Sequence, residues 1–135
     1  TVFQKSNETK VLAHYHLLSL WVSENTGIMD KELDKMNALR ALVVHPDYAK
    51  DPATIALVDN LGNIQDSSGC WPTPIPFFRT VNALAHLHLE QAERQWEKAL
   101  AFLCSEQNRD GSWGSEDHEW NTFLVVHALK NKGCL

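Results

Sequence analysis

"QNRDGSWG", Gln107–Gly114, interrupts a chain that otherwise reads as amphipathic helix, and the reading of that interruption decides the fold. A helix that reaches Gln107 has to satisfy its last carbonyls and reverse direction. Gly111 can take the positive φ that such a turn requires. The Gln107 side chain has two donor hydrogens and an acceptor oxygen, enough to tie the loop backbone to a neighbouring element. Trp113 adds a large apolar surface with one N–H, so it can cover the end of a helix pair while bonding a carbonyl. The stretch therefore reads as a staple between helices, after which "NTFLVVHALKNKG" resumes the helical pattern.

The staple recurs. In "QDSSGCW", Gln65, Gly69 and Trp71 stand 42 residues before Gln107, Gly111 and Trp113, and Thr80/Thr122 and Leu87/Leu129 keep the same offset. A second echo, at an offset of 72, links "LAHYHL" (Leu12–Leu17) with "LAHLHL" (Leu84–Leu89). Similarity at a steady spacing marks a repeat architecture. The unit is helix, Gln-to-Trp turn, helix, with repeats over about 51–90 and 92–131 and a degenerate copy over about 8–45, all within one domain spanning 1–135.

Outward from the turns, helical periodicity dominates and nothing reads as a strand. Val11, Tyr15, Leu18 and Val22 share one face of a helix from Glu8 to Glu24. A second helix runs from Asp30, its expected N-cap, to Val44. Asp51 and Pro52 open a third, which continues to about Asn60. Further helices are expected over Phe77–Glu90, Ala92–Glu106 and His118–Lys130, the last ended by Gly133. The expected fold is all-α, with about six helices in antiparallel hairpins.

"KALAFLCSEQNRDGSW", Lys98–Trp113, resembles the QW repeat of terpenoid cyclases of the squalene–hopene type, a basic residue, a small residue and an aromatic followed by Gln and Gly-x-Trp. Lys98, Ala99, Phe102, Gln107, Gly111 and Trp113 match it, whereas the earlier copy keeps Gln65, Gly69 and Trp71 but has Asn60 where the aromatic belongs. A related repeat occurs in protein prenyltransferase β-subunits. The resemblance covers about Thr54–Lys132 and implies an α/α-toroid, here a partial one, since a complete ring uses about six hairpins and this chain supplies about three. It speaks for the fold and not for the chemistry.

The motifs that carry the chemistry of those families are not in this sequence. There is no D-x-D-D string for protonating a double bond, no D-D-x-x-D for magnesium and no D-x-C for zinc; Asp66 and Cys70 are too far apart for the last. Neither a metal site nor a cofactor is expected. In "SEDHEW", Asp117, His118 and Glu119 are the candidate catalytic cluster, read either as acids placed at a helix start, where the dipole favours them, or as a metal or general-acid site at a cavity mouth. His14 and His16 point about 200° apart on a helix and cannot share a ligand. His14, His86 and His127, from equivalent or nearly equivalent repeat positions, can converge from neighbouring helices, or else are satisfied boundary histidines. "CWPTPIPFF", Cys70–Phe78, is an arm stiffened by three prolines, with Trp71, Phe77 and Phe78 either packing the next helix or lining an apolar pocket. Cys70, Cys104 and Cys134 read as free thiols.

Composition narrows the function. With 44% hydrophobic and 21% charged residues the chain is an ordinary folding sequence. A net charge of −5 with scattered basic residues argues against nucleic-acid binding. No apolar run approaches the ~20 residues of a membrane span, and the N-terminus has no signal-peptide pattern, so a cytoplasmic protein is expected. A first residue of Thr1 instead of Met leads us to expect a piece of something longer. Two functions follow. In one, the chain is a non-catalytic repeat module whose apolar concave face binds a partner, a second copy that completes the ring or the missing remainder of the toroid. In the other, it belongs to a cyclase-like or prenyltransferase-like enzyme and holds an isoprenoid in an apolar chamber.

Overall fold

The computed structural model describes residues 8–25, 27 and 31–135. Among them are six α-helices: α1 Thr9–Asn25, α2 Glu32–Leu42, α3 Pro52–Ile64, α4 Phe77–Leu84, α5 Glu90–Ser105 and α6 His118–Asn131. A short 3-10 turn, Tyr48–Lys50, precedes α3. The described residues contain no strand, only one isolated bridge between Gln107 and Trp113, and no helix long and apolar enough to cross a membrane. The all-α expectation holds. The expected Asp30 cap lies outside the described residues.

Local chemistry explains most of the boundaries. Asp51 is extended (φ −64°, ψ 141°), and its carboxylate accepts the Ala53 N–H (3.3 Å) and the Ser19 hydroxyl (2.6 Å), while Pro52 takes the first helical position. Helix α3 continues through Gly62 to Ile64, beyond the expected end near Asn60. Gly62 is there for proximity: a Cβ on it would stand 2.9 Å from the Gln95 amide of α5. Helix α4 stops at Leu84, six residues short of the expected Glu90. There the ladder tightens to His86 N–H on Ala83 and Leu87 N–H on Leu84, and Lys132, 45 residues on, donates to the Leu87 carbonyl at 3.0 Å and pairs with Glu93 at 2.6 Å. A lysine that distant lies outside any helical window, so the break left no local mark.

The helices sort into two layers. α1 packs on α3 and α3 on α5, while α2 packs on α4 and α4 on α6; α1 with α2, α2 with α3 and α4 with α5 join the layers. Leu39, Leu42, Val58, Leu61, Val81, Leu84, Leu103 and Val125 fill the space between, all fully or almost fully buried. Each such side chain contributes about 1.5–3 kcal/mol through burial.

The two Gln-to-Trp turns are built alike. Gln65 donates through Nε2 to the Gly69 carbonyl (3.0 Å) and Gln107 to that of Gly111 (2.9 Å). The indole N–H of Trp71 bonds the Leu61 carbonyl (3.1 Å) and that of Trp113 the Leu103 carbonyl (2.8 Å), in each case ten residues back in the last turns of the preceding helix. Gly69 and Gly111 have φ of 92° and 86°, conformations that a side chain resists. Each turn also folds over a carboxylate. Asp66 accepts from the Ser68 hydroxyl and backbone, Asp110 from those of Ser112, and both acids sit below the usual carboxylate range, chiefly because of the serine hydroxyl.

Candidate functional site

Between the C-terminal end of α2 and the connection that follows α4 lies a groove of about 570 Å³. Val43, Val44, Pro46 and Ala49 form one wall; Leu87 and Leu89 form the other, with His86, His88 and Lys50 as the polar groups. A smaller recess of about 150 Å³, reached by Arg40, Asn82 and Ala83, shares Val43, Val44 and His86 with it. The early end of α4 makes this opening, because the chain leaves the helix at Ala85 and carries Leu87 inward and His88 outward.

His86 stands at the junction, its ring centroid 5.2 Å from that of His127 on α6. Asn82 sets the state of His127. Its Nδ2 lies 3.0 Å from the Leu124 carbonyl, which can only accept, so the atom there is the NH₂ group. The same nitrogen is 3.1 Å from Nδ1 of His127, which makes Nδ1 the acceptor and leaves the ring hydrogen on Nε2. Burial holds the His86 imidazole below its ordinary 6.5, and the neighbouring His127 pushes the same way. From His127 a row of rings continues along α6: Phe123 stacks on it (5.9 Å, 14°) and Trp120 on Phe123 (5.4 Å, 20°). Trp120 and Phe123 are exposed, following the i, i+3, i+7 spacing that keeps side chains on one helix face.

The other candidates lie elsewhere. His14 is exposed on α1, a helix that packs on α2 and α3 and not beside His86 and His127. Trp71, Phe77 and Phe78 form a ring cluster with Phe102 of α5, with Phe77 at its centre (5.9, 5.4 and 4.9 Å), so the proline arm seats its rings against the core. Asp117, His118 and Glu119 are exposed at the start of α6. Asp117 occupies the N-cap position with φ 49° and makes no side-chain cap bond; the Asn121 amide donates to the Glu116 carbonyl just before it at 2.8 Å. His118 Nδ1 stands 3.5 Å from both the Asn108 amide and the Ser112 hydroxyl. Lys98 is exposed on α5 and Phe102 is in the ring cluster. Among the described residues no three His, Cys, Asp or Glu side chains are placed to hold a metal ion, and Cys70, Cys104 and Cys134 are unpaired thiols.

Asn82 on α4, Val44 in the turn after α2 and Lys50 in the 3-10 turn carry no sequence signal, because each gains its place only against residues of another segment. His45 also escaped notice. It is 2% exposed, clasped by Tyr15 (4.7 Å) and Tyr48 (5.2 Å), with Nδ1 accepting the Asp47 N–H and Nε2 buried with no hydrogen-bond partner among the described residues. No family model matches the chain, and neither a curated protein nor a solved structure does.

Proposed function

We propose that the chain is a helical-repeat module of the prenyltransferase and terpenoid-cyclase type that binds and does not catalyse, presenting the apolar face of α2, α4 and α6 to a partner. The observation that carries this reading is the His86 groove, whose walls are mostly aliphatic with His86, His88 and Lys50 as its few polar groups, the make-up of a binding site for an apolar group. The two helix layers and the recurring Gln-Gly-Trp turns support the partial α/α-toroid that the sequence resemblance implies, with α2, α4 and α6 as its inner wall. The absence of the acid motifs favours binding over catalysis.

One observation favours a second reading, an isoprenoid as the bound group. Trp120, Phe123, His127 and His86 offer consecutive ring faces beside the groove, a surface suited to a chain of double bonds. Uptake of an environment-sensitive apolar dye, followed by fluorescence, tests both. The chain binds the dye, and Val44→Asp, an exposed wall position, weakens uptake roughly tenfold by placing a charge in the groove. Displacement by geranylgeraniol selects the isoprenoid; uptake that geranylgeraniol leaves unchanged selects the protein partner. A chain that takes up no dye, or takes it up equally well as Val44→Asp, overturns both readings.

A further inference from the structure

The 42-residue register allows each position of α3–α4 to be compared with its counterpart in α5–α6. On α4, Val81 and Leu84 are both 0% exposed; their counterparts on α6, Phe123 and Val126, are 55% and 42% exposed. The turns differ in the same sense. Gln65 uses the second hydrogen of Nε2 on the Gln95 carbonyl of α5 (3.0 Å), and the backbone of Lys98 passes so close that a Cβ on Gly69 would stand 2.3 Å from its carbonyl oxygen. Gln107, among the described residues, bonds only within its own turn, and Gly111 has nothing nearer than the Gln107 side chain at 3.9 Å. Positions that are buried in one repeat are open in the next.

At the other end of the stack, α1 and α2 enclose a groove of about 370 Å³ lined by Leu18, Trp21, Ala38 and Ala41, with Asp34 and Asn37. Ala38 and Ala41 leave room for another helix to come close. Because α1 and α2 begin the two layers and α5 and α6 end them, these two open faces belong to opposite ends of one arrangement.

We infer that the open face of α6 docks onto the α1–α2 groove of a second copy of this chain, Phe123 and Val126 entering it and both layers continuing head to tail. The contact repeats the one the chain already makes internally, α3 beside α5 and α4 beside α6. Its two faces are different, so it is heterologous, and two copies close it by each giving one face of either kind. The His86 groove takes no part. None of the groove's lining residues enters the contact, so Val44→Asp, which weakens dye uptake, leaves self-association unchanged, while Phe123 belongs both to the contact and to the row of rings beside the groove.

Sedimentation velocity across a concentration series tests this contact with the whole chain. The unmodified chain forms a reversible dimer. Val126→Glu and Ala41→Glu each weaken it roughly tenfold or more, since a charge then faces apolar surface. An equimolar mixture of the two variants recovers a dimer, because one intact pair of faces remains, and recovery also shows that both variants are folded. A chain that stays monomeric, a dimer indifferent to Val126→Glu, one lost in Val126→Glu but kept in Ala41→Glu, or a mixture of helical variants that does not associate overturns the proposal. Should either variant lose its helical circular-dichroism signal, Val126→Lys and Asn37→Glu, both at exposed positions, replace them with the same expected outcomes.

Discussion

At the scale of single residues, His86 is where local sequence and environment part most clearly. Taken alone it is one of two histidines in "LAHLHL"; in place, it is half buried, beside a second imidazole and at the meeting of two hollows. Its proton affinity is depressed, first by burial and then by His127, so the unfolded chain binds the proton more readily than the folded one. The stability that follows is complete above the ordinary value near 6.5 and is lost as the pH falls through it toward the folded value. NMR titration should place the His86 midpoint below that value. His127→Gln should move it part of the way back, since the imidazolium repulsion goes and the burial stays. A midpoint unmoved by that substitution would mean the two rings are not coupled.

The Gln-to-Trp turn is the informative element, because the chain contains it twice with different surroundings. Both glycines have positive φ, so any side chain costs about 1–2 kcal/mol at either site. Only Gly69 also lies under the backbone of α5. Urea unfolding at concentrations where the chain is monomeric should therefore show Gly111→Ala losing about 1 kcal/mol and Gly69→Ala losing about 3 kcal/mol or more, the excess coming from a shift of α5. Equal losses would show that α5 does not press on the first turn. The signal for the turn itself was legible: Gln, Gly and Trp in register report a helix end, a reversal and a cover. What the register could not report was which of the two turns has a neighbour.

At the scale of the whole molecule, the layers are closed by contacts between distant segments. Lys132 is the clearest, its side chain 7% exposed while its ammonium reaches the Leu87 carbonyl and the Glu93 carboxylate. It joins the end of α6 to the start of α5 and holds the connection that opens the His86 groove. Lys132→Met keeps the apolar stem and removes the charge, leaving that carbonyl and carboxylate without their partner. A loss of about 1–3 kcal/mol in urea unfolding is expected, together with weaker dye uptake at the groove. Full stability with unchanged uptake would show that the tie does not position the groove.

The sequence by itself determined that the chain is helical, where most helices begin, and that one kind of turn occurs twice, because these are settled within a few residues by apolar spacing, by Asp51 and Pro52 at a helix start, and by Gln, Gly and Trp at a helix end. Only the tertiary structure decided that α4 ends at Leu84, that Asn82 fixes the tautomer of His127, that Phe77 turns into the core while Phe123 stays outside, and that Asp117 makes no cap bond. The first three depend on atoms brought together from positions tens of residues apart, and the last on a left-handed backbone at Asp117 that apolar spacing does not record. Periodicity records which face of a helix is apolar; it does not record what comes to lie against that face.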